Sequence, residues 1–306
     1  MKSNIIDLAK SLGFSEIKFA KYQKLEQQTK NLKKWIDNDF HADMDWIKNH
    51  LPLRDDPSLL LENCKTVIVF AHSYNNGIDH LPVEGYGKIA RYAMGRDYHK
   101  VLKNKLKKIS KYLESKKIKT KYFVDSGPIA ERDWAVISGI GARAKNSLIL
   151  NKKLGSFFFL STMLVDQEIE ADSPVLDMCG KCTKCIKACP TGAITEPYIV
   201  DSRKCISYWT IEYRGETLPK NITENQNKWI FGCDICQEVC PWNNHKNILN
   251  TEKEFYPRDN TTQLDLLESS EISEKEFIDR FAGQPIIRTK FSGLKRNAKS
   301  ALNFVI

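Results

Sequence analysis

Apolar positions recur at two periods along the first half of the chain. Ile5, Leu8, Ala9 and Leu12 fall on one face of a helix that Gly13 ends. Val101, Leu102, Leu106, Ile109 and Leu113 mark a similar stripe on a second, lysine-rich helix. Val67-Ile-Val-Phe70, Tyr122-Phe-Val124, Leu148-Ile-Leu150 and Phe157-Phe-Phe-Leu160 are apolar runs of strand length. This alternation predicts an α+β chain whose N-terminal part is an α/β domain. Asp172-Ser173-Pro174 interrupts the pattern, and a cysteine-rich stretch follows at once, running to about His245. From Asn247 the chain reads as short polar helices with a basic end, Arg288, Lys290, Lys295, Arg296 and Lys299. The expected division is therefore 1–172, 173–246 and 247–306. Beyond the cysteine motifs there is no internal repeat and no low-complexity segment.

A chain of 306 residues, 42% of them hydrophobic, can bury cores for two domains. The acid at Asp7 comes too early for the apolar stretch of a secretory signal. The longest apolar run, Leu154 to Val165, is broken by Gly155, Ser156, Ser161 and Thr162, and falls well short of the roughly 20 residues that span a bilayer. A soluble, cytoplasmic, monomeric protein with no membrane partner is expected.

That compartment changes the meaning of the nine cysteines, because reducing thiol pools disfavour disulfides. Eight lie between Cys179 and Cys240, while Cys64 stands apart and reads as a small core residue. The first motif, Cys179-Gly-Lys-Cys182-Thr-Lys-Cys185-Ile-Lys-Ala-Cys189-Pro190, has the spacing of bacterial two-cluster ferredoxins. Three thiolates on a tight loop reach one iron–sulfur cube, and the fourth points at its neighbour. The second motif, Cys233-Asp-Ile-Cys236-Gln-Glu-Val-Cys240-Pro241, lacks one cysteine, which Cys205 supplies from a distance. The expected ligands are Cys179, Cys182, Cys185 and Cys240 for one [4Fe–4S] cluster, and Cys189, Cys205, Cys233 and Cys236 for the other. Zinc is the competing metal for paired Cys-x-x-Cys motifs, but it needs neither the third cysteine nor the Cys-Pro that follows.

The formal charge of +9 falls to about +5 once two clusters, each with four thiolates, are counted. Ten lysines between Lys100 and Lys121 face a single acid, Glu114, which makes that helix either a solvated face or a polyanion-binding one. Neither Gly85-Tyr-Gly87 nor Gly139-Ile-Gly141 completes a dinucleotide fingerprint, and no Walker motif is present. Composition and spacing stop at an iron–sulfur oxidoreductase with an acceptor site.

Several blocks in one order carry a resemblance further. These are His41-Ala-Asp-Met-Asp-Trp46, Ala90-Arg-Tyr-Ala-Met-Gly-Arg-Asp-Tyr-His99, Val124-Asp125-Ser126-Gly127-Pro128 with Glu131-Arg132, Lys145-Asn146-Ser-Leu-Ile-Leu150, Gly155-Ser-Phe-Phe-Phe-Leu160, Arg203-Lys-Cys-Ile-Ser-Tyr208 and Phe231-Gly-Cys-Asp234. Over nearly its whole length the chain resembles the epoxyqueuosine reductases, cobalamin-dependent iron–sulfur enzymes of tRNA queuosine synthesis. The resemblance implies an N-terminal cobalamin-binding domain like the cores of reductive dehalogenases, followed by a two-cluster ferredoxin-like domain and a short helical tail. It implies reduction of the epoxide of epoxyqueuosine to the alkene of queuosine at the wobble position of tRNA. Electrons would come from a low-potential donor of flavodoxin or ferredoxin type and pass through two [4Fe–4S] clusters to cobalamin.

By the same resemblance Asp125 is the proton donor and a cobalamin contact, which requires burial to raise its pKa. Arg54, Lys145, Asn146, Ile149, Leu160 and Ser207 fall in blocks that line the corrin, and Tyr98 and His99 in one that serves the substrate pocket. The stretch Gly139-Ile-Gly-Ala142-Arg143-Ala144-Lys145 departs from the family, which often has an aromatic and a glycine there. Some members add C-terminal repeats for tRNA that this chain is too short to include. The competing readings are a dehalogenase-like cobalamin enzyme and a non-catalytic electron carrier.

Overall fold

A computed structural model describes residues 1–243, 252–258 and 262–303, so the expected boundary at 246/247 lies outside the described residues. The central sheet contains β1 (Glu16–Lys21), β2 (Thr66–Ser73), β4 (Thr120–Phe123) and β7 (Phe158–Val165), in the order β1-β2-β7-β4, with every neighbouring pair antiparallel. All eight residues of β2 are buried, because helices cover both faces of the sheet. Alternate side chains therefore feed two cores. Phe19, Ile68, Phe70, Phe159 and Met163 meet the Lys2–Ser11 and Tyr98–Glu114 helices, which contribute Ile5, Ala9, Leu102, Leu106 and Ile109. On the other face Val67, Val69, Ala71 and Leu164 meet Trp134 and Ala135 of the Glu131–Ser138 helix. Gly13, at φ 89°, turns the chain between the first helix and β1.

A second sheet gathers strands from distant parts of the chain. Strand β3 (Tyr86–Ile89) lies between β10 (Trp229–Phe231), to which it is parallel, and β11 (Gln263–Asp265), to which it is antiparallel. Ile89, Ile230, Phe231 and Leu264 of this sheet bury against Phe277, Phe281, Leu294 and Ala298 of the C-terminal helices. Two hairpins complete the strands: β5 (Ala142–Arg143) with β6 (Ile149–Leu150), and β8 (Ile194–Glu196) with β9 (Ile199–Val200).

The run from Leu148 to Leu150 is thus a hairpin arm outside the main sheet. Two strands had no clear apolar signal. In β1 lysines alternate with the apolar residues, and β3 carries only Ile89 as a large buried side chain. Asp172, at the expected first boundary, is itself pinned to β1: its carboxylate accepts from Phe19 N at 2.9 Å and pairs with Lys2 Nζ at 3.1 Å. Among the described residues no helix is long and apolar enough to cross a membrane.

Candidate active site and cluster cradle

The cysteine loops are built from short turns of helix, Lys184–Ala188 and Ile235–Glu238, which pack on each other. Gly180 and Gly192 take φ of 48° and 63°, a left-handed backbone that lets each loop double back. The eight thiols sort into two sets. Cys179, Cys182, Cys185 and Cys240 lie close enough that charge on one disfavours charge on the others. Cys189, Cys205, Cys233 and Cys236 do the same among themselves.

Among the described residues no three His, Cys, Asp or Glu side chains converge closely enough to hold one metal ion. The first tetrad instead lines one shared pocket, with Asn146, Lys184 and Trp242 among its walls. Backbone N–H groups are turned toward the sulfurs. Ala193 N lies 3.3 Å from Cys189 Sγ, and the amides of Ser207, Ile235 and Trp242 serve Cys205, Cys233 and Cys240. Such donors stabilise thiolates, so the donor set fits cubic iron–sulfur centres rather than a tetrahedral ion. Burial pushes the Cys64 thiol up to about 11, the behaviour of a core residue.

Lys145 and Asn146 tie the N-terminal domain to both loops. Lys145 Nζ donates to the Gly180 carbonyl at 2.7 Å, and Asn146 Nδ2 lies 3.4 Å from the Cys236 carbonyl. Ser207 reaches the second tetrad through its amide. The His41–Trp46 block, whose role was open in the sequence, seats the cysteine region as well: Tyr208 Oη donates to Asp43 Oδ2 at 2.6 Å.

Asp125 stands at the other end of this assembly. It follows β4 with φ 53°, in a turn where a Cβ on Gly127 would lie 2.5 Å from the Phe123 ring. The Tyr98–Glu114 helix begins beside it. Asp97 caps that helix by accepting from His99 N at 2.9 Å, and also accepts from His99 Nδ1 at 2.8 Å. The imidazole's other edge, Nε2, lies 3.5 Å from Asp125 Oδ2, and Tyr98 Oη donates to the same oxygen at 2.5 Å. On the far side Asp125 N donates to Glu131 Oε1 at 3.0 Å.

Protonation in this cluster differs from expectation. Desolvation does act on Asp125, but hydrogen bonds from His99 and Tyr98, with the charges of His99 and Arg132, outweigh it and hold the carboxyl below its ordinary value. The protons sit on its neighbours. His99 is lowered by burial but lifted further by Asp125 and Asp97, to about 9. Burial and the adjacent Asp125 charge raise Glu131 to about 8. At neutral pH the cluster is an imidazolium, a carboxylate and a carboxylic acid. Sequence reading singled out Asp125, Tyr98 and His99 but gave Glu131 no role, since nothing in Glu131-Arg132 shows that Asp125 folds back onto it.

Asp125 exposes 62% of its side chain, although desolvation by the residues packed around it is the largest influence on it. Arg132 is exposed under the same desolvation, and Arg54 lies beside these charges with its Nη1 toward the Ile129 carbonyl and its buried Nε without a partner. Ile149 is buried in the core beneath, and Leu160 packs partly exposed against it.

Comparison with known proteins places this arrangement. A family model described as "Epoxyqueuosine reductase QueG, DUF1730" matches residues 54–126, and one described as "4Fe-4S double cluster binding domain" matches residues 178–243. An epoxyqueuosine reductase of Atelocyanobacterium thalassa (isolate ALOHA) is 40% identical over 297 residues, covering 96% of each chain. The chain belongs to the epoxyqueuosine reductase family. The Escherichia coli (strain K12) epoxyqueuosine reductase is 40% identical over 95% of this chain and 78% of its own. A crystal structure of epoxyqueuosine reductase with a tRNA-Tyr epoxyqueuosine-modified stem loop superposes with a TM-score of 0.92 at 32% identity, covering 99% of this chain and 81% of the other. A Bacillus subtilis epoxyqueuosine reductase, with an aspartate-bearing catalytic loop swung out of its active site, superposes at 0.91 with 31% identity over 99% of this chain and 81% of its own. The protein is a reductase, and its cysteine-rich region is a double 4Fe–4S cluster domain.

Proposed function

We propose that this protein reduces the epoxide of epoxyqueuosine in tRNA to the alkene of queuosine, with Asp125 delivering a proton to the departing oxygen. The reaction consumes two electrons and two protons and releases the oxygen as water. Cobalamin, when bound, supplies a cobalt centre that can pass those electrons to carbon, and the partnerless Arg54 Nε near Asp125 fits a large polar ligand. Arg54, Asp125, Ile149 and Leu160 would line that ligand, while Lys145, Asn146 and Ser207 would hold the cluster loops against it. Residues 1–172 would form the cobalamin and substrate domain, 173–246 the cluster domain and 247–306 a supporting segment.

The observation that carries the reading is the chain of contacts Asp97–His99–Asp125. An alkoxide is a poor leaving group, so opening the ring calls for a positioned acid. Asp125 is the group placed to deliver the proton, and His99, charged and 3.5 Å away, is placed to restore it. Tyr98 fixes the shared oxygen but is too weak an acid to be the source, because burial and Asp125 raise its pKa well above the phenol value. The swung-out loop of the Bacillus subtilis relative supports a loop that can present Asp125 and withdraw it.

The lysine-rich helix starts at this site. Lys100, Lys103, Lys107, Lys108 and Lys111 are exposed along it and would meet the phosphates of the tRNA arm. Lys105 is turned inward, bonded to the Leu12 carbonyl at 2.5 Å and to Glu252, and takes no part. The test is epoxide reduction on an epoxyqueuosine-containing stem loop by wild type and Asp125→Asn under a chemical reductant. Wild-type turnover in the variant with clusters intact would remove Asp125 from the mechanism.

A further inference from the structure

Residues 125–128 form a surface turn between two buried anchors, Val124 and Ile129, each 1% exposed. Ser126 N donates to the Val124 carbonyl at 2.6 Å, which closes a three-residue turn with Asp125 at its centre. Asp125 has φ 53°, in the left-handed region that costs energy for a residue with a Cβ, so the conformation must be held from outside. Among the described residues, the polar contacts from this turn to the rest of the protein all leave from Asp125. Its carboxylate meets Tyr98 and His99, and its amide donates to Glu131 Oε1 at 3.0 Å.

These two ties have different fates during turnover. A carboxyl that hands its proton to a substrate oxygen must turn away from Tyr98 and His99 to reach it, and must return to be recharged. The amide takes no part in proton transfer, and its bond to Glu131 can last through both positions. Glu131 is anchored for this. It opens the Glu131–Ser138 helix, which Trp134 and Ala135, both 0% exposed, root in the core. Asp125, Tyr98, Arg54 and Arg132 are the charged or titratable groups that face it, yet among the described residues it forms no salt bridge. Burial and Asp125 raise its pKa to about 8, so at neutral pH an uncharged carboxyl, not a second anion, stands beside the Asp125 carboxylate.

We propose that Glu131 is a positioning residue, a latch that holds the Asp125 backbone in its strained turn while the carboxylate moves between His99 and the substrate. The proposal rests on the reading of Asp125 as the proton donor. The latch needs an acceptor oxygen at this place, not a transferable proton, so an amide can replace the acid.

The experiment uses the cluster-loaded full chain supplied with cobalamin, as wild type, Glu131→Gln, Glu131→Ala and Glu131→Met. The methionine fills the space without an acceptor oxygen and serves where the alanine variant fails to fold. Two readouts are taken at pH 7: kcat and KM on an epoxyqueuosine stem loop under excess chemical reductant, and amide hydrogen exchange over residues 120–138 in the free protein. Iron absorbance and melting temperature check that each variant is folded. Glu131→Ala and Glu131→Met should lower kcat about tenfold or more with KM unchanged, the scale of a displaced catalytic group. Exchange at Asp125 should quicken in both, while exchange within the Glu131–Ser138 helix stays as in wild type. Glu131→Gln should match wild type in both readouts. Wild-type exchange at Asp125 in the alanine and methionine variants overturns the latch, whatever their turnover. A Glu131→Gln variant as slow as Glu131→Ala overturns it too. A wild-type protein that leaves the epoxide intact while the exchange differences are present overturns the proton-donor reading instead.

Discussion

Replacing His99 by glutamine tests the proton route most sharply. Asp125 is held below its ordinary carboxyl value by His99 and Tyr98 despite desolvation, so at pH 7 it is a carboxylate and the proton that the reaction needs there must be brought to it. His99, at about 9, is protonated in about 99% of molecules. Losing that stored proton removes a general-acid contribution of about 10²–10⁴ in rate, about 3 to 5 kcal/mol. Glutamine keeps a polar side chain against Asp97 but cannot hold a transferable proton. His99→Gln should therefore lower turnover roughly 100-fold at pH 7, the lower end for loss of a proton-transfer group. It should also remove the decline in wild-type rate that sets in as pH passes about 9. The assay is product formation on an epoxyqueuosine stem loop under excess chemical reductant, at half-unit steps from pH 6 to 10. A variant that keeps wild-type rate, or one that is slow yet still declines near pH 9, refutes the relay.

Other outcomes follow from the same geometry. Asp125→Asn should abolish reduction while leaving iron content and visible absorbance at wild-type values. Cys205→Ser should cost the inner centre and spare the outer one, halving iron from about eight to about four per chain; loss of neither centre would remove Cys205 from the ligand set. Trp134→Ala should destabilise the chain by about 3 kcal/mol, the low end for a buried aromatic, because the fully buried indole Nε1 has no partner to lose. Folding stability should fall as pH rises. His99 is raised from 6.5 to about 9, so its contribution is complete below 6.5 and lost through 9; Glu131, raised from 4.5 to about 8, holds its extra proton over a window that ends near 8. Thermal melts at pH 7 and 9 should show the lower Tm at 9, and Glu131→Gln should shrink the difference; equal melting temperatures would contradict these titrations.

The legible parts of the molecule were those with a local signature. The eight cysteines announce a double-cluster domain because thiolate reach is set by a few residues of spacing, and a double 4Fe–4S cluster family model matches residues 178–243. The helices at Lys2–Ser11 and Tyr98–Glu114 were plain from their apolar stripes. The β3-β10-β11 sheet was hidden because its register joins Lys88 to Trp229 and Gln263, and no local period reports such a pairing. The chemistry at Asp125 was hidden for a similar reason. Its partners come from the helix start at Tyr98 and His99 and from Glu131 across the turn, and their sum reverses the effect of burial alone. Lys145 and Asn146 illustrate a third case: the resemblance put them in a block that lines the corrin, and the fold shows their polar ends on the cluster loops.

The central claim is that two iron–sulfur centres sit in one chain with a corrin beside Asp125. Visible and electron paramagnetic resonance spectra of anaerobically purified protein titrated with cobalamin test it directly. The account predicts a reducible iron–sulfur signal together with a cobalt(II) signal altered by binding, and weaker cobalamin uptake in Arg54→Ala. Zinc in place of iron, or a cobalt spectrum identical to that of free cobalamin, would contradict it.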